Sequence, residues 1–246
     1  MTSGRAIRRI DPAELGDPAS VRPPGGAVFD LHVHSSNRSM DSGVSADAIL
    51  QQAVERGLDG ICFTEHNSLW PREAVAELAE RHGITVLAGM ELGTDVGHVL
   101  AFGLPRYSPE LLMIDRLRPI ARVEGAILAL AHPMRVFHGR NAAWDEMAEW
   151  FDALEAINGD HGDTEGGPWV RLAAQLGLSV IGGSDVHSRD AVGRVVTAVH
   201  EAPRDIEGLV REIRLGRVAP HDLRPQGHRP AGRRPPVPAQ IDEPDA

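Results

Sequence analysis

From Ala27 onward, short apolar runs alternate with amphipathic segments of helical length. The runs AVFDLHVHS, LDGICFTEH, ITVLAGMELGT, HVLAFGL, AILALAHP, FDALEAIN and LSVIGGSDVHS read as strands, and RVVTAVHE as one more. Between them, SADAILQQAVERG predicts a helix with Ser45 as its N-cap and Gly57 as its stop. PREAVAELAERHG predicts another, with Pro71 in the first turn and Gly83 after it. Further helices are predicted over roughly 108 to 123, WDEMAEW, PWVRLAAQLG and PRDIEGLVREIRLG. Strands alternating with helices imply parallel pairing and an α/β architecture. Several strands are apolar on both faces, as strands covered by helices should be. About seven strand candidates suit a closed or distorted barrel better than a short open sheet.

The flanks differ in composition. Residues 1–26 are polar and rich in Pro and Gly, ending in RPPGG, and read as an N-terminal extension with little core of its own. The barrel domain is expected over 27–218. Residues 219–246 hold seven prolines, the basic stretch RPAGRRPP and the acidic end DEPDA, and read as a Pro/Arg-rich tail, disordered or draped on the surface.

The length of 246 residues and an apolar share of 42% suit one domain with a full core, and aromatics at 4% leave that core mostly aliphatic. A formal net charge of −10 argues against a protein that coats long nucleic acid. All 25 basic residues are arginine, which excludes a Schiff-base lysine, a carbamylated lysine and a phosphate-loop lysine. Cys62 is the only cysteine, so an intrachain disulfide and a cysteine-rich zinc site are excluded, and its apolar surroundings predict a buried structural thiol. No apolar stretch reaches the ~20 residues needed to span a bilayer. The N-terminal residues lack the apolar core of a signal peptide, so the expectation is a cytoplasmic protein with no membrane partner.

Candidate chemistry lies where the apolar runs end, which is where α/β barrels carry their active sites. The first run ends in His32 and His34, the second in Glu65 and His66, and the third in Glu91. The fourth begins with His98, the fifth ends in His132, the sixth in Asn158, and the seventh in Asp185 and His187. Half of the twelve histidines fall at these ends. A lone histidine in an apolar strand is usually a satisfied core residue; a cluster of imidazoles and carboxylates is costly to bury without compensation. Residues i and i+2 share a strand face, so His32 with His34 and Asp185 with His187 are expected to point into one mouth. Neutral imidazole and carboxylate are the usual ligands of divalent metals, and this many donors suits two or three ions sharing a bridging carboxylate.

The ordered series DLHVHS, TEHN, GMEL followed by GHVLAFG, AHP and GSDVHS resembles the motif series of the polymerase and histidinol phosphatase (PHP) superfamily, over roughly Phe29 to Thr197. The resemblance implies a distorted (β/α)7 TIM-like barrel holding up to three metal ions and hydrolysing phosphoesters. It places His32, His34, Glu91 and Asp185 on one metal. Glu91 bridges to a second, held also by His98 and His132. Asp41, His66 and His187 hold the third. Two positions depart from the family pattern: Ser42 follows Asp41 where Gly is usual, and Glu65 stands where Asp is frequent. Glu65 and Asp30 are read as outer residues that orient the ligands, Asp30 because it shares the inward face with His32.

The reading that follows is a phosphoesterase acting on a small phosphomonoester or nucleotide through metal-bound water. Glu91, His32, His34 and Asp185 stand around that water, and the metal is Mn, Fe or Zn. Arg135, Arg189 and Arg194 are the expected phosphate clamps. Three alternatives stay open: a 3′–5′ exonuclease on short oligonucleotides, an amidohydrolase-type metallohydrolase, and a non-catalytic metal-stabilised barrel. The partner expected is a small phosphorylated substrate.

Overall fold

A computed structural model of the chain describes residues 12–133, 144–160 and 166–225. The strands are β1 (Ala27–Val33), β2 (Gly60–His66), β3 (Thr85–Thr94), β4 (Gly97–Phe102), β5 (Ile127–Leu130), β6 (Ala153–Asn158), β7 (Ser179–Gly183), β8 (Val195–Val199) and β9 (Val218–Asp222). The helices are α1 (Ala46–Glu55), α2 (Arg72–His82), α3 (Ile114–Glu124), α4 (Trp144–Trp150), α5 (Gly166–Leu176) and α6 (Ile206–Arg214). The expected signals act locally. Ser45 caps α1 by accepting the Ala48 N–H at 3.3 Å. Gly83 ends α2 at a φ of 65°, a left-handed conformation that costs glycine little.

The nine strands form one sheet in the order β7–β6–β5–β4–β3–β2–β1–β8–β9. The segment after β7 returns to β1: His34 N donates to Val186 O at 3.1 Å and Val186 N to His32 O at 3.2 Å. Together with the bridge Val33–Val186, this nearly closes the sheet into a distorted α/β barrel. Parallel pairing throughout, as the alternation implied, is not observed. β1, β2 and β3 run parallel, as do β5, β6 and β7, but β4 is antiparallel to both β3 and β5. β8 is antiparallel to β1 and β9 to β8. The reversal at β4 has a functional consequence. The start of an antiparallel strand lies beside the end of its predecessor, so His98 joins the residues carried at the ends of β2 and β3.

β9 also moves the expected tail boundary, because Ala219–Asp222 pair with β8 and belong to the sheet. Pro220 offers no N–H, which an edge strand tolerates. The described part of the N-terminal extension packs on the barrel. Leu15 is buried, Gly16 N donates to Leu223 O at 2.7 Å, and Arg22 pairs with Asp59 at 2.7 Å.

Three apolar clusters hold the fold. The barrel interior is filled by Phe29, Leu31, Cys62, Leu87, Leu100, Phe102 and Ile127, and Leu209, Val210 and Ile213 of α6 pack into the same cluster and plug its base. Burial there pushes the Cys62 thiol well above its ordinary value, so it stays protonated. Outside, α1 and α2 pack Ile49, Leu50 and Leu78 against β1 and β2, while α3, α4 and α5 cover β3 to β6. No helix follows β3, because the chain returns directly as β4. A cleft of ≈ 1240 Å³ lies along that side, lined by Trp70, Val75, Leu87, Tyr107 and Ile206 among others. It is separate from the histidine cluster described below.

Candidate metal centre

Each of the nine expected ligands is delivered by the C-terminal rim of the barrel. β1 carries an irregularity in its register between Asp30 and Val33. His32 and His34 lie just at and beyond it, and both are fully buried. β2 and β3 align His66 opposite Glu91, and β4 sets His98 opposite Gly93. His132 follows β5 and Asp185 follows β7, with φ of 26° and 55°. Asn67, next to His66, has a φ of 49°. These are all the non-glycine residues with positive φ among those described, and they sit at or beside expected ligands. Strain held in this way is stored where side chains must be aimed rather than merely packed. Asp185 and His187 therefore reach the site through a turn past the end of β7, not through the alternation of a strand.

Glu91 is the centre of the arrangement. Its Oε2 lies 3.3 Å from His32 Nε2, 3.1 Å from His34 Nε2 and 3.1 Å from His66 Nδ1. Its Oε1 lies 2.8 Å from His98 Nδ1 and 2.9 Å from His132 Nε2. One carboxylate thus faces two sets of imidazoles, one with each oxygen. Asp185 Oδ1 lies 3.5 Å from His32 Nε2 and 3.4 Å from His34 Nε2. Asp41 Oδ2 lies 3.0 Å from His66 Nε2 and 3.3 Å from His187 Nε2. Four overlapping triads of donor atoms result: His34–His66–His187, His32–His34–Glu91, His32–His132–Asp185 and Glu91–His98–His132.

The donor set fits divalent ions. A tetrahedral shell with ligand bonds of about 2.1 Å has edges of about 3.4 Å. The separations of 3.1 to 3.5 Å among His32, His34, Glu91 and Asp185 match that edge. His32 Nε2, His34 Nε2 and Glu91 Oε2 are buried and make no hydrogen bond, an arrangement that is costly unless something else binds there. The charges point the same way. Burial alone lowers the His32 pKa, but Glu155, Asp185 and Glu91 outweigh it and hold the imidazole well above its ordinary value. Burial alone raises Glu91 and Asp185, but His32 and the other imidazoles hold both carboxyls below their ordinary values. Imidazolium here neutralises a carboxylate field that divalent cations would neutralise instead.

The outer residues differ in part from expectation. His32 Nδ1 donates to Glu155 Oε1 at 2.9 Å, and Glu155 Oε2 accepts from His132 N at 2.8 Å and Asn158 Nδ2 at 3.1 Å. Glu155, fully buried in β6, was missed because it reads as part of the strand FDALEAIN. An acid in the middle of an otherwise apolar strand was the available signal. Asp30 does not orient an imidazole ring. Its carboxylate accepts from Ser184 N at 2.8 Å, Gly193 N at 3.1 Å and His32 N at 3.4 Å, tying together the backbones that bear His32 and Asp185. The register irregularity explains the difference, since strict alternation fails across it. Burial pushes the Asp30 carboxyl up to about 6 against these hydrogen bonds.

Glu65 acts at one remove. It accepts from Ser35 Oγ at 2.5 Å, Ser39 Oγ at 2.6 Å and Trp70 Nε1 at 2.8 Å. Because Ser39 donates to Glu65, its oxygen accepts from His34 Nδ1–H at 3.4 Å, which leaves the Nε2 lone pair facing the centre. The expected phosphate clamps are occupied elsewhere. Arg189 binds Gln52 at 3.0 Å and Glu55 at 3.2 Å on α1, and buried Arg194 binds Asp190 at 2.7 Å. Neither touches an expected ligand. Arg135 lies outside the described residues.

An α/β barrel whose rim gathers five imidazoles around a buried glutamate, with a sixth, His187, beside Asp41 and Asp185, is a metallohydrolase-like scaffold. The model of the PHP domain matches residues 30–166, and that of the PHP-associated region matches residues 170–218. The chain belongs to the PHP domain family. Among curated proteins, it is 35% identical over 91 residues to phosphoribosyl 1,2-cyclic phosphate 1,2-diphosphodiesterase of Eggerthella lenta, covering 34% of each chain. It is 37% identical over 78 residues to an error-prone DNA polymerase of Cutibacterium acnes, covering 31% of this chain and 7% of the polymerase. The match thus spans about a third or less of these relatives. In fold, it is similar to a two-domain protein from Bacteroides vulgatus containing a predicted PHP-like metal-dependent phosphoesterase. The TM-score is 0.61 at 22% identity, over 89% of this chain and 70% of that one.

Proposed function

We propose that the chain is a metal-dependent phosphoesterase acting on a small phosphorylated substrate. The observation that carries this reading is Glu91, a buried carboxylate with imidazoles facing each of its oxygens. His32, His34, Glu91 and Asp185 would hold one ion, Glu91 with His98 and His132 a second, and Asp41, His66 and His187 a third. The donors are all nitrogen and oxygen, which suits Mn, Fe or Zn. Bound divalent ions supply Lewis acidity toward phosphate oxygens and lower the pKa of the water they hold.

The residues of the chain prepare that chemistry. Glu155 and Ser39 hold the Nδ1 protons of His32 and His34, so both Nε2 atoms face the centre as lone-pair donors. The full burial of both histidines keeps bulk water from competing for them. Asp41, about half exposed, stands at the open side, where a substrate must enter. The similarity to a cyclic phosphate diphosphodiesterase supports a sugar phosphate or nucleotide over a long polymer.

The test is a screen of metal-loaded protein against sugar phosphates, nucleotides and cyclic phosphates. Turnover that EDTA abolishes and added Mn or Zn restores is expected. Metal-loaded protein that turns over none of them would overturn the reading.

A further inference from the structure

The cleft beside β3 contains none of the expected metal ligands. Its floor is Thr85 to Ala88, the start of β3, left without a helix because the chain turns directly into β4. Val75 and Ala79 of α2 line one side, and Leu104 and Tyr107, after β4, line another. Ile206 of α6 lines it as well, and the segment after β4 packs on that helix: a Cβ added at Gly103 would lie 3.2 Å from Val210. The loop from Asn67 to Pro71 completes the lining and is pinned in place. Trp70 Nε1 donates to Glu65 at 2.8 Å, and Asn67 Oδ1 accepts from Gly93 N at 3.2 Å. The walls are therefore pre-formed, and the volume of ≈ 1240 Å³ is ample for an organic molecule, whose sites run to roughly 300–1,000 Å³.

Apolar and charged groups are sorted within it. Val86, Leu87 and Leu104 are buried, Trp70, Tyr107 and Ile206 are half-buried, and Arg72, Arg106 and Arg204 are exposed at the rim. Among the described residues, the side chains of four arginines make no hydrogen bond, ion pair or ring contact: Arg106, Arg116, Arg171 and Arg204. Two of the four line this one cleft. The Tyr107 hydroxyl, next to Arg106, is also without a partner among the described residues. The lining acids are mostly committed. Glu207 pairs with Arg72 at 3.2 Å, and Asp205 caps α6 by accepting Gly208 N at 2.8 Å, which leaves Glu124. The uncommitted charge is thus two guanidinium groups against one carboxylate. The Arg72–Glu207 pair also ties α2 to α6 across the cleft. A helix laid along the floor has to part that tie; a small molecule does not.

We propose that this cleft binds a small amphiphilic anion, an apolar body carrying one acidic group. The body lies on the β3 floor beside Val75, Ala79 and Tyr107, where water is displaced from apolar surface. The acidic group meets Arg106 and Arg204 at the rim. The inference is independent of the phosphoesterase reading.

Two fluorescent probes separate the body from the charge. 8-Anilinonaphthalene-1-sulfonate has both, and N-phenyl-1-naphthylamine keeps the rings without the anion. Titration of the full, metal-loaded chain should show one saturable site per chain for the sulfonate. Arg106→Ala combined with Arg204→Ala should weaken the sulfonate at least about tenfold and the uncharged probe less than about twofold. Arg116→Ala removes an unpaired, exposed arginine outside the cleft and should change neither. Ala79→Leu fills the cleft and should weaken both probes; Ala76→Phe, at an exposed position of the lining, takes its place if that variant does not fold. Excess dodecanoate or 2-naphthoate should displace the sulfonate probe, and the one that does so gives a chain or a ring as the body. The proposal is overturned if sulfonate binding does not saturate at one per chain, or if the double arginine variant loses nothing or loses both probes alike. It is also overturned if neither carboxylate competes. A dimer in sedimentation that the probe dissociates would make the cleft an interface between copies, and would overturn it too.

Discussion

Replacing Glu155 by Gln perturbs the site without removing a ligand. The Glu155 carboxylate accepts three hydrogen bonds, from His32 Nδ1, His132 N and Asn158 Nδ2. A backbone N–H cannot change role, so the amide oxygen of glutamine must stay with His132 N and Asn158. Its NH2 then faces His32 Nδ1 at the site of a 2.9 Å bond. Two donors cannot share that bond, so His32 must take the tautomer with its proton on Nε2. That proton points at Glu91 Oε2 and Asp185 Oδ1, 3.3 and 3.5 Å away, and blocks the lone pair that would bind a cation.

Loss of such an outer partner typically lowers metal affinity ten- to a hundredfold, or about 1.4 to 2.7 kcal/mol. Competition against a chelator of known zinc affinity measures it, and nitrogen-15 spectra of the histidines read the tautomer. Thermal unfolding of the metal-free variant controls for misfolding. Affinity within about twofold of wild type, with the His32 proton still on Nδ1, would refute the reasoning.

Other consequences follow from the same geometry. Glu91→Gln should remove the charge shared by both imidazole sets and lower the metal content by at least one ion per chain, read by elemental analysis; unchanged content would mean that Glu91 is not shared. Asp30→Asn turns an amide donor toward backbone N–H groups of Ser184 or Gly193, and should cost about 1–3 kcal/mol in denaturant unfolding. Gly183→Ala places a Cβ 2.6 Å from His32 N, against backbone that cannot yield, and should lower both melting temperature and metal affinity.

Metal-free protein should also show a defined pH trend. The folded pKa of His32 lies above its unfolded value, so its contribution is complete below about pH 6.5 and is lost as pH rises through the folded pKa. Melting temperature should fall as pH rises above about 6.5 without metal and not with it, because a metal-bound imidazole is already neutral. A flat profile for the metal-free form would contradict the charge assignment.

Much of the site was legible because its residues break the apolar pattern at strand ends. His32, His34, His66, Glu91, His132, Asp185 and His187 all announce themselves in this way. His98 was legible as a residue, but its place beside Glu91 came only from the family resemblance, since an apolar run carries no mark of its direction and the reversal at β4 is set by the short turn after Thr94. Glu155 and Asp30 were harder for a shared reason. An inward or outward face follows from period-two alternation, and local irregularities in β1 and β6 interrupt it. β9 was hidden by the proline content of the stretch that contains it. Arg189 and Arg194 were misjudged because sequence position shows which loop carries a guanidinium, not which acid neutralises it.

The central claim is that the rim holds more than one divalent ion around Glu91. The most direct test is elemental analysis of protein saturated with manganese or zinc and then freed of excess metal. The account predicts two or three ions per chain, with the number falling in Glu91→Gln. Less than one ion per chain in the wild-type protein would contradict it.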